Sequence, residues 1–323
     1  MAAEAERRQI PDTPLRRRLG AVAAGLRCTP ASAAAAAASP ESPWAPAGLH
    51  SVLQPTQMLT EAQRQSYWEH GYLVLPPGLV PAELLERLQL ETRRQVELSC
   101  EQAHRERFVY EEMHTDRSPR LVRLLAPEQL DTYWEFTNGI AAELAMDLLG
   151  PDVKFHHSKL NYKWNSGEPS SVSWHQDFQF WPHSNCAPLT IGVYLADANE
   201  DSGPMTVVPL SAHNMLHTHE DDDGNWLAIL PDTALTDVPI ASATVPMTGA
   251  AGTIIVHNSR CVHGSPPNTS SATRPLLLQT FTPASCEVIR TGSNPKILES
   301  SKGDTLIRGN PSASAGQFSM EES

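Results

Sequence analysis

The spacing of hydrophobic residues changes at Gly150, since apolar residues recur at roughly helical intervals before it and form short runs between turn residues after it. Thr60 is a suitable N-cap for a helix that runs to about His70 and ends at Gly71. The apolar run Tyr72–Leu75 follows directly and predicts a strand. The ordered part of the chain is therefore expected to begin with a helix and a strand.

Two longer helices are predicted between this strand and Gly150. Pro81 suits the first turn of the earlier helix, over 82–100, where a missing N–H costs no helical hydrogen bond. The later helix covers 127–149, and its apolar residues recur at helical spacing: Leu130, Trp134, Ile140, Leu144 and Leu148. The segment between the two helices, 101–123, carries both charge signs without a clean period. It indicates a loop or a solvated helix.

Short strands dominate the chain after Gly150. They are predicted over 153–164, 172–178, 189–196, 205–209, 253–256 and 274–281. Helices followed by closely spaced strands indicate an α+β fold dominated by β structure, in which two sheets form a jelly roll with flanking N-terminal helices. The long segment 213–250 is interpreted as an insertion or a loop, for which a lid role is one hypothesis.

Length and composition indicate one main domain with an extension at each end. The chain has 323 residues and 40% hydrophobic content, which suffices for one large core. Residues 1–55 are expected to be a disordered extension. They are rich in Arg, Ala and Ser, as organelle targeting segments are, although their acidic residues are unfavourable for that role. The catalytic domain is expected over 56–290 and a polar tail over 291–323.

Charge and cysteine content restrict the partners and the compartment. A formal net charge of −13 disfavours nucleic acid and anionic membrane surfaces, since both attract clustered Lys and Arg. No apolar run approaches the ~20 residues that span a bilayer, so stable membrane insertion is not expected. The five Cys include no Cys-x-x-Cys pair and indicate reduced thiols, which favours a cytoplasmic or organellar protein over a secreted one. The oligomeric state is left open.

Two histidines and one aspartate have the pattern of a metal site. His175 and Asp177 lie two positions apart, and side chains at that spacing in an extended strand project from the same face. His263 can bring a second imidazole from a distant strand. Two His and one carboxylate on one face leave three octahedral positions open, which suits non-haem Fe(II) and its use of O2. These residues are predicted to be the catalytic metal ligands.

A conspicuous arginine follows His263. Arg274 lies eleven positions further along, at the start of an apolar run, and its planar guanidinium is suited to bind a carboxylate through two parallel hydrogen bonds. The ordered set resembles the pattern of the phytanoyl-CoA dioxygenase family of Fe(II)/2-oxoglutarate-dependent oxygenases: His175, Asp177, His263, Ser265 and Arg274.

The resemblance covers about residues 57–285 and includes the turn Asp201–Pro204. It implies a double-stranded β-helix, the cupin-like form of the jelly roll. It also implies that O2 and the cosubstrate 2-oxoglutarate are used to hydroxylate a C–H bond of a small-molecule or acyl substrate. Arg274 would then hold the far carboxylate of 2-oxoglutarate, with help from Ser265. Related halogenases replace the aspartate by a small residue, so Asp177 favours hydroxylation.

Some residues near these motifs fit more than one role. Lys159, Asn161 and Lys163 alternate on one face of a predicted strand, where a buried ammonium or amide fits contact with the other carboxylate of 2-oxoglutarate. Each of the two lysines fits the protein surface equally well. His257 is a rival for the distal metal ligand, but His263 is preferred because it precedes a Gly-Ser pair and has the arginine at the family's offset. Four aromatic residues fit either a substrate pocket or the core: Trp174, Phe178, Phe180 and Trp181.

The His and acidic residues of 213–223 fit a solvated loop better than a second metal site, since they have no defined spacing. Two rival classes for the whole protein are a non-catalytic regulatory module that binds 2-oxoglutarate or metal, and a cupin-like metalloprotein that needs no cosubstrate. The intact ligand set disfavours the first, and Arg274 disfavours the second. No motif identifies the substrate, and an acyl-CoA is one of several candidate classes.

Overall fold

The N-terminal helix and strand form as predicted. The computed structural model describes residues 55–100, 107–112, 119–165, 171–213, 216–236, 238, 243–289 and 305–308, so most of both predicted extensions lies outside the described residues. Helix α1 covers Glu61–His70. The side chains and backbone of Thr60 and Gln63 form a reciprocal capping box at its start, and Gly71 ends it with φ 84°. Strand β1, Tyr72–Leu75, follows.

The next two helices differ in how well the apolar spacing predicts them. Helix α2 covers Ala82–Leu98 and buries Leu84 and Leu88, as expected. The predicted helix 127–149 is divided instead. A 3-10 turn at Pro127–Gln129 precedes α3, Asp131–Phe136. A π-helical segment, Thr137–Ala141, then joins α3 to α4, Ala142–Leu149. The interruption falls at a glycine, Gly139, whose φ and ψ of −104° and −106° are not helical.

The interpretation of 101–123 as a loop or a solvated helix is wrong for most of its described residues. Strand β2, Phe108–Glu112, pairs antiparallel with β3, Pro119–Leu125. Strand β2 is the last strand in the sheet order, and edge strands commonly carry charged side chains. Those charges obscure the alternation of apolar residues that would otherwise indicate strands.

The larger sheet contains the long strands of the core. Its order is β1-β9-β6-β11-β4-β3-β2, and β12 pairs with the remaining length of β4. These strands have the following bounds: β4 Val153–Lys163, β6 Leu189–Tyr194, β9 Ile254–Asn258, β11 Arg274–Pro283 and β12 Thr305–Arg308. Every residue of β6, β9 and β11 is buried. Because β12 belongs to this sheet, that part of the predicted polar tail is structured.

The smaller sheet carries the predicted metal ligands. It has the order β5-β10-β7-β8, with these bounds: β5 Val172–His175, β7 Thr206–Val207, β8 Val245–Pro246 and β10 His263–Ser265. The two sheets face each other across a cavity lined by residues from both. The predicted β-dominated jelly roll with N-terminal helices is therefore confirmed. None of the helices in the described ranges combines the length and the apolar character needed to cross a bilayer.

A buried carboxylate fastens the start of the described chain to α4. Asp147 is 4% exposed and accepts hydrogen bonds from the backbone N–H groups of Gln57, Met58 and Leu59, each at 2.8 Å. Charge-assisted bonds of this kind are among the stronger hydrogen bonds in proteins. Asp147 thus ties residues 57–59 to α4, beside the apolar packing of Met58 and Leu59 on the core.

Replacing Asp147 by alanine should lower the free energy of unfolding by about 2–4 kcal/mol, because three N–H groups lose a charged acceptor. Asp147→Asn retains one acceptor oxygen and should lie between the wild type and the alanine variant. Urea unfolding followed by circular dichroism measures both. An alanine variant within ~0.5 kcal/mol of the wild type would show that these bonds contribute little to stability.

Candidate active site

Two imidazoles face each other across a single strand pairing. His175 at the end of β5 lies opposite His263 at the start of β10, and their ring centroids are 4.1 Å apart. Gln176 continues the extended backbone and places Asp177 next to them. The distances from Asp177 Oδ1 are 3.5 Å to Nε2 of His175 and 3.9 Å to Nε2 of His263. The structure thus brings the three predicted ligands to one point.

The orientation of each ring suits a metal ligand. Nδ1 of His175 donates to the carbonyl of Ser173 at 2.8 Å, and Nδ1 of His263 donates to the carbonyl of Cys261 at 2.9 Å. With Nδ1 occupied in this way, Nε2 is the nitrogen that each ring presents on the side of Asp177. Backbone carbonyls commonly fix metal-binding histidines in this way.

The donor set of this cluster fits a divalent cation. One donor atom from each residue lies within 4.8 Å of the others, and all three residues are buried. Asp177 Oδ2 is buried and has no hydrogen-bond partner among the described residues, which is costly for a carboxylate unless a cation binds it. Burial alone would raise the pKa of Asp177, but Lys159, His263 and His175 together hold it well below its ordinary value. Burial, with His175 and His257, keeps the pKa of His263 well below its usual range.

His257, the rival for the distal ligand, lies in β9 beside the cluster. Its ring centroid is 4.3 Å from that of His263, and it lines the same cavity. Burial lowers its pKa to about 4, and its Nε2 is buried without a partner. Within the described residues the converging donor set contains His263 and not His257. The assignment of His263 as the ligand stays a prediction, and this geometry favours it.

Arg274 lies on the opposite sheet and faces a cavity of about 360 Å³ that the metal ligands also line. It is the first residue of β11 and is only 2% exposed. Its Nε and Nη1 are buried, and neither has a hydrogen-bond partner within the described ranges. Burial also lowers the pKa of its guanidinium. A buried guanidinium with unused donors matches the expected carboxylate site, because a bound carboxylate would accept these hydrogen bonds.

Lys163 and Ser265 line the same cavity as Arg274. Lys163 lies opposite Arg274 in the β4–β11 pairing, and its Nζ donates to the carbonyl of Pro266. Burial, with a smaller contribution from Arg274, lowers the pKa of Lys163 to about 6. Gly203, with φ 67°, leaves room for the hydrogen bond between Lys163 and Pro266. A Cβ at this position would lie 2.5 Å from the Pro266 carbonyl oxygen. Lys163 is buried, so the surface alternative is excluded.

Two further cations line the cavity, and sequence reasoning missed one of them. Lys159 Nζ is 3.9 Å from Asp177 Oδ1 and 5.5 Å from the ring centroid of Trp181. Arg123 on β3 donates from Nε to Asn161 Oδ1 at 2.9 Å. Arg123 falls in the segment that was interpreted as a loop or solvated helix. The pairing of β3 with β4 brings it to the cavity.

The segment after His213 is attached to the metal-ligand segment. Gln176 donates from its backbone N–H to Nε2 of His219 at 3.0 Å, and its Oε1 accepts from the backbone N–H of His217 at 2.9 Å. Gln179 Nε2 donates to the carbonyl of His217 at 2.6 Å. Both histidines are buried, so the interpretation of this stretch as solvated is wrong for them. Neither belongs to the metal-ligand group found within the described residues.

The four aromatic residues around His175 and Asp177 pack against neighbouring side chains and do not line the cavity. Phe178 is buried, and Phe180 stands edge-on to His175 with ring centroids 5.6 Å apart. Trp181 contacts Lys159 and the ring of His157. None of the four is among the residues that line the cavity. The core-packing alternative is therefore the better description.

Comparison with known proteins agrees with the site's composition. Residues 67–276 match the family model described as phytanoyl-CoA dioxygenase. The chain belongs to the phytanoyl-CoA dioxygenase family. A probable alpha-ketoglutarate-dependent hypophosphite dioxygenase of Stutzerimonas stutzeri is 30% identical over 229 residues, which are 68% of this chain and 77% of that protein. An L-proline trans-4-hydroxylase of Streptomyces griseoviridis is 30% identical over 155 residues, 43% of this chain and 58% of that protein.

An ectoine dioxygenase of Sphingopyxis alaskensis is 31% identical over 170 residues, which are 49% of this chain and 51% of the ectoine dioxygenase. The crystal structure of EctD from S. alaskensis with bound Fe has a TM-score of 0.66 at 20% identity, covering 80% of this chain and 91% of that one. That likeness supports the jelly-roll fold. The family match and these relatives show that the protein is an Fe(II)- and 2-oxoglutarate-dependent dioxygenase, as predicted.

Proposed function

We propose that this dioxygenase hydroxylates a small-molecule substrate at a metal centre formed by His175, Asp177 and His263. In this proposal Arg274 holds 2-oxoglutarate, and Ser265 and Lys163 assist it. The observation that carries the proposal is the convergence of three possible metal-ligand donors in one cavity with a buried arginine. The Nε and Nη1 of this arginine have no partner in the described part of the chain. A small-molecule substrate is proposed because the relatives are named for hypophosphite, L-proline and ectoine.

When bound, Fe(II) together with 2-oxoglutarate and O2 supplies the oxidising power for hydroxylation. The protein's residues hold and orient the reactants. Asp177 stays ionised and His263 stays neutral, because their pKa values lie well below the ordinary range, and both are then in the protonation state that binds a metal. Arg274 fixes the far carboxylate of 2-oxoglutarate and thereby aims its 2-oxo acid end at the metal ligands. Leu276, Leu278 and Met205 line the same cavity and restrict water there.

The proposal keeps the prediction of a reducing compartment, either the cytoplasm or an organelle. The four described cysteines are free thiols, which is the usual state in such compartments. Ferrous iron is also retained more readily under reducing conditions. The domain bounds of 56–290 and the targeting role of the N-terminal extension stay predictions.

The proposed function is tested by loading the purified protein anaerobically with Fe(II) and titrating it with 2-oxoglutarate by calorimetry. One Fe(II) per chain and metal-dependent binding of 2-oxoglutarate are expected. Untargeted metabolite profiling with O2 should then reveal a compound that gains the mass of one oxygen as succinate forms. A protein that binds iron but neither binds 2-oxoglutarate nor forms succinate with any extract would contradict the proposal.

A further inference from the structure

A short hairpin beside the metal-ligand segment exposes large apolar side chains. It covers residues 219–229, and Glu220 pairs antiparallel with Trp226 within it. Trp226, Leu227 and Ile229 are 41%, 38% and 38% exposed. Single exposed apolar residues are common, but several of them together often mark an interaction site. We call residues 219–229 the apolar hairpin.

The base of the apolar hairpin is fixed to the outer face of the smaller sheet. The N–H of Leu230 donates to the carbonyl of Trp174 at 2.8 Å. Leu230 also belongs to a small buried cluster with three valines: Val208, Val238 and Val262. Trp174 precedes His175, which lines the cavity, and successive side chains of a strand project to opposite faces. The hairpin therefore presents its apolar side chains to solvent from an ordered support.

The surroundings of these apolar side chains are acidic. Residues 164–259 contain no Lys or Arg. Asp223 and Asp232 lie three positions before Trp226 and three positions after Ile229, and both are exposed. No ion pair joins either of them to a Lys or Arg in the described ranges. A ligand with an apolar side and clustered positive charge would complement this surface.

The N-terminal extension contains a segment with that complementary composition. Residues 14–27 carry four Arg and no Asp, Glu or Lys. The Leu and Val residues of the segment recur three or four positions apart, which is the spacing of one face of an amphipathic helix: Leu15, Leu19, Val22 and Leu26. The segment therefore offers both an apolar side and clustered positive charge.

The connection to the domain is long enough for this segment to reach the hairpin. The described residues begin at Pro55, so residues 28–54 form the connection. A flexible chain of ~27 residues has a root-mean-square end-to-end distance of about 30 Å, which is close to the diameter of a small domain. Because both partners belong to one chain, the effective concentration of the segment is on the order of millimolar. Docking then requires only a modest affinity.

We propose that residues 14–27 dock on the apolar hairpin. Their Leu and Val side chains pack against its exposed apolar residues, and their arginines lie beside Asp223 and Asp232. The docked segment covers the outer side of the metal-ligand segment, because His219 of the hairpin accepts a hydrogen bond from the N–H of Gln176. This inference goes beyond the proposed function and does not depend on it, since neither Fe(II) nor 2-oxoglutarate takes part.

The test uses the full chain with a nitroxide attached to Cys28, which directly follows the segment. Cys100→Ser removes the exposed cysteine among the four that the structure describes. Tryptophan is labelled with nitrogen-15, and Trp226→Phe identifies the indole signal of Trp226. That signal should be lost in the nitroxide-bearing chain and return when the nitroxide is reduced. The indole signal of Trp134 should stay, because Trp134 packs on Phe155 of the larger sheet.

Charge reversal separates docking from random encounters of the extension with the domain. Replacing each residue of Arg16–Arg18 by Glu should restore the Trp226 signal and speed hydrogen exchange of the hairpin amides about tenfold. Asp223→Lys with Asp232→Lys should do the same. Combining both sets should remove the signal again, because the reversed charges attract each other.

Glu83→Lys with Glu86→Lys is the matched control. Both residues are exposed on α2, and the two changes alter the net charge as much as the changes at Asp223 and Asp232 do. In this control the Trp226 signal should stay lost. Circular dichroism spectra and melting temperatures establish that each variant is folded.

The results decide between docking within one chain and its alternatives. A nitroxide-bearing chain whose Trp226 signal survives would overturn the inference. Equal loss of that signal in the charge-reversed chains would show contact without the proposed ionic pairing and would overturn it as well. A mixture of nitrogen-15 chains without nitroxide and nitroxide-bearing chains without nitrogen-15 should keep the signal. Loss of the signal in that mixture would mean that the segment docks on a second copy of the chain, which contradicts docking within one chain.

Discussion

Replacement of Asp177 by alanine is expected to reduce O2-dependent succinate formation at least ~1000-fold and to lower Fe(II) affinity at least about tenfold. Asp177 is the only acidic member of the three-ligand group, and its Oδ1 lies within 4 Å of both Nε2 atoms. Its removal leaves two imidazoles and takes away the anionic donor that a dication would need. Calorimetric titration with Fe(II) under anaerobic conditions and a succinate assay measure the two effects.

The matched control is Asp222→Ala, which removes an exposed carboxylate from the acidic stretch after His219. It should leave both Fe(II) affinity and succinate formation unchanged, because that stretch contributes no donor to the metal-ligand group. Asp177→Asn keeps the size of the side chain and separates loss of charge from loss of packing. If Asp177→Ala is folded and retains near-normal turnover, Asp177 is not a metal ligand.

Arg274→Ala should weaken 2-oxoglutarate binding ~100-fold or more, while Fe(II) affinity changes less than about threefold. The guanidinium is buried on β11, and its Nε and Nη1 have no acceptor in the part of the chain that the structure describes, so the bound carboxylate would be their main acceptor. The predicted metal ligands lie in or directly after strands of the smaller sheet, whereas Arg274 lies in the larger sheet. Titration of the Mn(II)-loaded protein with 2-oxoglutarate measures the first quantity, and Fe(II) titration the second.

Arg274→Lys keeps the charge but loses the planar pair of donors, and it should recover only part of the affinity. Arg87→Ala removes an exposed arginine that pairs with Glu135 at 2.6 Å, and it should bind 2-oxoglutarate normally. Comparable losses of Fe(II) and 2-oxoglutarate affinity in Arg274→Ala would contradict the anchoring role. They would indicate instead that the arginine supports the cavity as a whole.

The candidate metal site was predictable because its ligands depend on local spacing. His175 and Asp177 are two positions apart at the end of a strand, where extended backbone brings both side chains to one face. His263 and Arg274 were identified by their short neighbouring motif and their fixed offset. The capping box at Thr60 and the end of α1 at Gly71 were predictable for the same reason, since each involves residues close in sequence.

Features that depend on distant pairing were not predictable. Arg123 reaches the cavity only because β3 pairs with β4, and nothing in its charged surroundings indicates that pairing. His217 and His219 are buried because they bond to Gln176 and Gln179, more than thirty-five residues away. The strand Thr305–Arg308 joins β4 from a polar tail whose composition does not suggest a sheet. Each of these depends on tertiary contacts that outweigh local preference.

Because His175 pairs with His263 across two strands, the amount of metal that a refolded sample binds measures how many of its chains have folded correctly. A slip of one residue between β5 and β10 would turn one imidazole to the opposite face of the sheet. Molecules with misaligned strands would then keep their β content and lose the two-imidazole centre. The stoichiometry of metal uptake after refolding should therefore equal the fraction of chains that recovered the native strand alignment, which circular dichroism alone does not distinguish.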